Sequence, residues 1–506
     1  MVELFAFFAG AILMSLEILG SRVLAPQYGS SVVVWASLIG VFMGALATGY
    51  WLGGALADRW PKRAGVGIVL ATSGMLVTLI PVAAPFVFAI AGDSLRRGSL
   101  VAAVGLFYLP TSLMGAVSPY AIRLQEVAAG HLGRTAGRLY AISTIGSILG
   151  TVVTAFWLIP LAGVAMLIVA LGVALLLLAS VTFASGVSET AASRAMAIAS
   201  FAVAIVLASA IAATGQASVA RALFGERLGE RLLAEKDSLY HHIIVSDDGG
   251  VRWLRFDHQV QTAMPLNDRL GTAVDYPDYF HLARIIRPQI RSVLLIGLGG
   301  ATTPKQFLAA YPDVSMDAVD LDADVVKVAR QYFFLPAESD RFHIFIEDGR
   351  NYLAAHQKKY DLIIVDAYHV DSIPFHLFTR QFFELAQSRL NANGLIAMNI
   401  ISALDGENSG VASSIYRTAG LVFPERYLFP IRFHSAHSRT MRHNICFIVG
   451  EGVTLREEEL RAAAMRSNLP AYARRVIDFE PRPPDMRTSR ILSDDYAPVD
   501  DLLHVQ

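Results

Sequence analysis

Residues 294–307 read LLIGLGGATTPKQF, an apolar run that breaks into Gly297, Gly299 and Gly300 and then meets Pro304. Glycines permit a sharp turn and close backbone approach, and a proline suits the first turn of a helix because its missing N–H would have no partner there. The stretch reads as strand, turn and helix start, the opening unit of a doubly wound α/β sheet of Rossmann type. Working outward, strands are expected at 292–297, 315–321, 342–347, 361–367 and 394–401, each separated by a helical or turn segment. RYLFP from 426 and ICFIVG from 445 are two further strand-like runs, suited to close the sheet with a hairpin.

In an open parallel sheet a ligand lies at the carboxyl ends of the strands, beside the first glycine turn. Asp320 follows Gly300 by 20 residues, the separation at which an acid accepts hydrogen bonds from ribose hydroxyls. Asp322 is an alternative for that role, or else a cap on the helix that begins near Asp324. After the next strand, IEDGR offers Asp348 and Gly349 to the edge of an adenine. A dinucleotide fingerprint would need glycine at 302, where this chain has Thr302. A nucleoside without phosphates fits better, which points to S-adenosylmethionine or a relative of it.

The rest of the chain is written for another solvent. Of 506 residues, 54% are hydrophobic and 17% charged, and the mean hydropathy is positive. Apolar stretches near 2–21, 32–56, 66–91, 99–120, 139–160, 163–184 and 195–214 each approach the roughly 20 residues that cross a bilayer. About seven membrane spans are therefore expected within residues 1–216, followed by a linker helix and small β-sheet over 217–270 and the α/β domain over 271–506. Gly40 with Gly44, Gly49 with Gly53 and Gly146 with Gly150 are expected to form helix-packing seams. Glu17, inside the first span, is either a functional group or the partner of Arg22 or of a neighbouring helix near the interface. The formal net charge of -1 gives no basic excess that would suit nucleic acid. The single Cys446 rules out an internal disulfide, and no Cys/His spacing suits a zinc ion, so no metal is expected.

Orientation rests on two opposed arguments. Arg59, Lys62 and Arg63, and then Arg123, Arg134 and Arg138, mark the most basic loops and place them in the cytoplasm. Seven spans would then leave the C-terminal half outside. A cytosolic nucleoside, together with Arg221, Arg227 and Arg231, favours the cytoplasmic side, and that placement in the cell (inner) membrane is the one adopted.

Between the two halves, SLYHHIIVSDDGGVRWLRFDHQVQT alternates about an Asp-Asp-Gly-Gly turn, as a small antiparallel sheet does. This sheet, YPDYFHLAR, the LLIGLGG turn, VDLDADVV, EDGRNYL and YDLIIVDAYHVDSIPFHLFTRQFF together resemble the spermidine synthase family of polyamine aminopropyltransferases. The closest likeness is to bacterial members with an N-terminal membrane domain, whose ending LSDDYAPVDDLL also resembles. The loop GGALADRWPKR is similar to one of major facilitator transporters. The family resemblance implies that Gln261 and Asp320 hold the ribose side, Asp348 the adenine, and Asp366 the region of the sulfonium and reacting carbon. It also implies transfer of an aminopropyl group from decarboxylated S-adenosylmethionine to an amine, no permanently bound cofactor, and pairing as a homodimer.

The chain departs from the family where the acceptor binds. The family's glycine turn carries an acid where this chain has Gly300, and its proposed base lies three residues after Asp366, where this chain has His369. Tyr240 followed by His241 matches the family's tyrosine-glutamine pair only in part. An imidazole can still take a proton near neutral pH, but it does not attract a cation as a carboxylate does. Asp371, Asp494 or Asp495 would compensate only if folded inward. Putrescine is thus a doubtful acceptor. A transport or sensing protein with a silent nucleoside domain is the alternative; an ordinary methyltransferase would not need the small sheet.

Overall fold

The computed structural model describes residues 2–28, 32–92, 94–129, 132–184, 195–207, 209, 230–257, 259–367, 374–431, 439–452 and 454–497. The chain divides into two compact units, Met1–Glu230 with Glu235–His242, and Arg231–Ala234 with Ile243–Gln506.

In the first unit six helices are long and apolar enough to cross a membrane: α1 (Val2–Tyr28), α2 (Val32–Arg59), α3 (Arg63–Ala91), α4 (Leu95–Gln125), α5 (Gly133–Leu158) and α6 (Val164–Ala184). Their outward faces carry Met43, Trp51, Phe86, Ile90 and Phe156, all largely exposed, a surface that water would not solvate. The seventh expected span is described only as the shorter apolar helix Ala195–Leu207; residues 210–229 lie outside the described residues. Among the described residues the long spans therefore number six, and the seventh expected span is described only in its first part.

Two of the three expected glycine seams are present. A Cβ on Gly49 would come within 2.2 Å of the Ser112 carbonyl, and one on Gly53 within 2.5 Å of Ala116 Cα, so α2 meets α4 backbone to backbone. Gly146 and Gly150 do the same to α1, where a Cβ would lie 2.1 Å from the Phe7 carbonyl and 2.2 Å from that of Ala11. Gly40 faces open space and Gly44 only the Tyr108 ring at 3.8 Å, so that spacing marks no seam. Arg22, offered from sequence as a partner for Glu17, donates its guanidinium to the Leu239 carbonyl. Gly49→Ala should lower stability in detergent by about 1–3 kcal/mol, because a methyl group has nowhere to go. Gly40→Ala should leave the thermal midpoint unchanged, and equal effects of the two would refute the seam.

The second unit is built around a seven-stranded sheet in the order β10-β11-β9-β8-β5-β6-β7, comprising β5 (Ser292–Ile296), β6 (Ser315–Asp320), β7 (Phe342–Ile346), β8 (Tyr360–Val365), β9 (Leu390–Ser402), β10 (Glu425–Pro430) and β11 (His443–Gly450). β7, β6, β5, β8 and β9 run parallel, and β11 and β10 add antiparallel, the closing hairpin expected from sequence. Both faces are covered. Val293 and Leu295 of β5 enter one core with Phe307 and Val326, while Leu294 and Ile296 enter the other with Phe382 and Ile415. That double burial explains why the strands read as unbroken apolar runs.

A separate four-stranded sheet has the order β1-β2-β3-β4, with β1 (Arg231–Asp237), β2 (His242–Asp248), β3 (Val251–Phe256) and β4 (Gln259–Pro265). Gly249 and Gly250, at φ 57° and 80°, make the tight turn joining β2 to β3. Ile243, Val245, Leu254 and Met264 pack on Val325 and Val328 of the helix Ala323–Tyr332. Residues 231–237, expected in the linker helix, instead form β1. The Leu, Ala, Glu and Lys of this segment favour helix only weakly, and pairing at a sheet edge overrides that preference.

Candidate active site

The parallel strands β5, β6, β7 and β8 all end at one edge of the sheet, and the site is assembled from the residues that follow them. After β5 the chain turns through Gly297 (φ 94°) and Gly299 (φ 49°), and Ala301 takes a left-handed φ of 60° before the helix Thr302–Ala310 begins. Gly297 is required by its neighbour, because a Cβ there would lie 2.2 Å from the Asp366 carbonyl. Asp366 in turn donates its N–H to the Ile296 carbonyl at 2.8 Å. The glycine turn and the end of β8 are thus held against each other.

Asp320, ending β6, accepts the Leu298 N–H at 2.8 Å and the Asp322 N–H at 2.9 Å. Burial pushes its carboxyl up to about 6, against these backbone donors, which pull the other way. Asp322 caps the helix Ala323–Tyr332 by accepting from Asp324 at 2.9 Å, the cap its sequence position offered. Asp348 likewise caps the helix Gly349–Ala355, accepting from Arg350 at 3.1 Å and Asn351 at 2.9 Å. Its other oxygen meets His376 Nε2 at 3.1 Å, the main reason its carboxyl lies below the usual range. Gly349 leaves room for Ile296, whose Cγ2 would stand 2.3 Å from a Cβ at that position.

Asp366 and Gln261 line one cavity of about 430 Å³, with Tyr276, Asn399, Arg442, His443 and Asn444 among its other walls. Tyr276 donates to the Gln261 carbonyl at 3.2 Å, and Asn399 donates to Asp366 Oδ1 at 3.3 Å while accepting from Asn444 at 2.9 Å. Burial raises the Asp366 carboxyl to about 7, with the Asn399 and Tyr276 hydrogen bonds opposing it. Gly297, Gly299, Asp320 and Asp366 are therefore brought together, Gln261 joins Asp366 at the cavity, and Asp348 with Gly349 follows β7 along the same edge. His369, Asp371, His434 and His437 lie outside the described residues. Asp494 does not turn into the cavity as a spare acid; Arg350 grips it through two bonds of 2.7 and 2.6 Å, and Thr379 donates to it at 2.7 Å.

Sequence reading missed Tyr276, Asn399, Arg442 and Asn444. Asn399 had a signal, a lone amide in the apolar strand LIAMNIIS. It also missed Thr262. The Thr262 hydroxyl accepts the Gly300 N–H at 2.8 Å, and its Cγ2 would lie 2.6 Å from a Cβ on Gly300.

A glycine turn with acids after the second, third and fourth strands of a parallel sheet, together with a small antiparallel sheet, is an α/β Rossmann-like fold of the methyltransferase and spermidine synthase kind. Residues 278–436 match the spermine/spermidine synthase domain. The polyamine aminopropyltransferase of Vibrio vulnificus is 28% identical over 287 residues, covering 53% of this chain and 90% of that protein. A probable polyamine aminopropyl transferase of Bifidobacterium longum is 33% identical over 134 residues, or 26% of this chain and 29% of that one. Among solved structures, a probable spermidine synthase from Corynebacterium glutamicum aligns over 49% of this chain and 93% of its own, with 17% identity and a TM-score of 0.41. The C-terminal half of this chain is thus similar to the spermidine synthase family, whose matched relatives are named as aminopropyltransferases. The domain match begins at residue 278 and leaves the apolar helices outside it.

Thr262 makes a packing claim that is easily checked. Gly300→Asp, which restores the family's acid, should cost about 1–3 kcal/mol by overpacking. Adding Thr262→Ala should recover part of that loss in thermal unfolding; a neutral Gly300→Asp would show that Thr262 does not fill the position.

Proposed function

We propose that the chain is a membrane-anchored transferase of the spermidine synthase type, moving an aminopropyl or related alkyl group from decarboxylated S-adenosylmethionine or S-adenosylmethionine to an amine acceptor. The observation that carries this reading is Asp366: a carboxyl at the wall of a 430 Å³ cavity, beside the glycine turn, with its affinity for protons raised to about 7. In the transfer the amine nitrogen bonds to the alkyl carbon as the carbon–sulfur bond breaks. The electron pair stays on sulfur, methylthioadenosine leaves, and a base takes the amine proton. Asp366 orients the sulfonium and amine and receives that proton, and His369 is assigned to the same task from its spacing alone.

On the donor side, Asp320 and Gln261 take the ribose hydroxyls, Gly297 and Gly299 let the nucleoside approach the backbone, and Asp348 with Gly349 meets the adenine. Thr262 packed on Gly300 supports a site adapted to an acceptor other than putrescine, because it fills the position of an acid that would hold a second ammonium.

The helices α1–α6 anchor the enzyme in the cell membrane. With the loops of Arg59, Lys62 and Arg63 and of Arg123, Arg134 and Arg138 inside, the six long helices among the described residues return the chain to the cytoplasmic side after α6, the side to which we assign the C-terminal half.

The test is release of methylthioadenosine by the full-length protein in detergent, given either donor and a panel of amines. kcat/KM should rise with pH through about 7, because the base must be ionised to accept a proton, and then level off. Asp366→Asn should reduce turnover by about 10²-fold or more and remove that rising limb. A folded protein that binds methylthioadenosine but turns over neither donor would instead be a silent nucleoside-binding domain.

A further inference from the structure

Asp348 follows β7, and the groups that orient it reach beyond the helix it caps. Its Oδ2 meets His376 Nε2 at 3.1 Å, and because an ionised carboxylate only accepts, that nitrogen carries the proton. Arg350 acts on both sides of this pair. Its backbone N–H donates to Asp348 Oδ1 at 3.1 Å, and its Nη1 donates to the His376 carbonyl at 3.0 Å. What fixes the Arg350 guanidinium is Asp494, 144 residues later in the chain, which accepts Nη1 at 2.7 Å and Nη2 at 2.6 Å. Such a two-pronged pair sets the plane of a guanidinium as well as its place. The same carboxylate takes the Thr379 hydroxyl at 2.7 Å, and Thr379 caps the helix Arg380–Ser388 by accepting the Phe382 N–H at 3.2 Å.

An ion pair as open as this one, with the Asp494 side chain 40% exposed, ordinarily contributes little. Here the segment that carries Asp494 is built into the unit. Leu492 is buried in one core with Phe382 and Ile415, its N–H donates to Thr418 at 2.9 Å, and its carbonyl accepts from Arg380 at 2.9 Å. Arg417 donates to the Ser489 carbonyl at 3.3 Å. Asp494 is therefore a fixed support, of the kind that holds a binding group in one geometry.

We infer that Asp494 is a positioning residue for the nucleoside: through Arg350 it holds His376 against Asp348, and so sets how selectively Asp348 accepts from the edge of a nucleobase. The inference rests on the nucleoside reading of the site and deepens it. A 6-amino purine offers an N–H donor at that edge. A 6-oxo purine has a carbonyl oxygen in the same place, which a carboxylate repels. Loosening the support costs the amino purine its bond and the oxo purine nothing, so the two affinities move together.

The full-length protein in detergent is titrated with methylthioadenosine and with methylthioinosine, its 6-oxo counterpart. The unaltered protein should prefer methylthioadenosine by about tenfold or more, the scale of one hydrogen bond to a charged group. Asp494→Asn places an amide N–H where Arg350 needs an acceptor. It should weaken methylthioadenosine by about tenfold and leave methylthioinosine nearly unchanged. Arg350→Gln, which keeps its backbone N–H on Asp348, should do the same, and the double variant should be no worse than either single one, because both act through one contact. Arg417→Gln frees the segment at Ser489 without touching Asp494; it should lower the thermal midpoint and leave both affinities alone. If Asp494→Asn does not fold, Arg350→Gln decides. Unchanged methylthioadenosine affinity in the folded variant, equal weakening of both nucleosides, or the same loss in Arg417→Gln overturns the inference. Equal binding of the two nucleosides by the unaltered protein removes the base-edge role of Asp348 and the inference with it. Binding of neither overturns the nucleoside reading itself.

Discussion

The hydrogen bond from Asp366 N–H to the Ile296 carbonyl, made across two strands that could not approach if residue 297 had a side chain, is the constraint on which the site depends. It fixes the end of β8 against the turn after β5. Asp320 adds a second tie by accepting the Leu298 N–H, which locks the same turn to the end of β6. A carboxylate has about four lone-pair positions. One that already holds two backbone donors can therefore also take ribose hydroxyls, and its structural and binding roles do not exclude each other.

The departures from the family pattern look different once packing is considered. A decayed site loses an acid and leaves a void or an unpaired backbone group. At residue 300 neither is left: the N–H is bonded to Thr262, and the threonine methyl group occupies the space a side chain would need. Burying and satisfying the position in this way is what a core under packing constraint does. The change at 300 is matched on β4, a strand 38 residues earlier.

Much of this was legible in the sequence. The positions of the parallel strands followed from apolar runs, several of them ending in glycine or aspartate, since double burial removes the polar alternation that would otherwise blur them. Asp320, Asp348 and Asp366 were legible as strand-end acids. What escaped depends on partners distant in sequence. Thr262 is an ordinary β4 residue until it is seen against Gly300, and Arg442 reads as a loop cation until the hairpin brings it to the cavity. Residues 231–237 were misread because a sheet edge decided their state, and Gly40 with Gly44 because spacing alone does not say which face meets a neighbour. The small residues at Gly49 and Gly53 have the same spacing and do form a seam; only the facing Ser112 and Ala116 distinguish the two cases.

Burial does two things to Asp366 that water would keep apart. It raises the cost of the ionised form, which makes the carboxyl a base of about neutral strength, and it removes the dielectric screening that would weaken attraction to a sulfonium or ammonium. In the reaction we propose, the arrival of a cationic donor would favour the charged carboxylate and ready it to take a proton. As the sulfonium charge disappeared and the acceptor nitrogen became cationic, the same carboxylate would be placed to receive the surplus proton. A second acid is not needed for that sequence of charges. It is needed to hold a second ammonium far from the reacting nitrogen, and its replacement at 300 by a packed glycine accordingly bears on which acceptor is held, not on whether a proton can be moved.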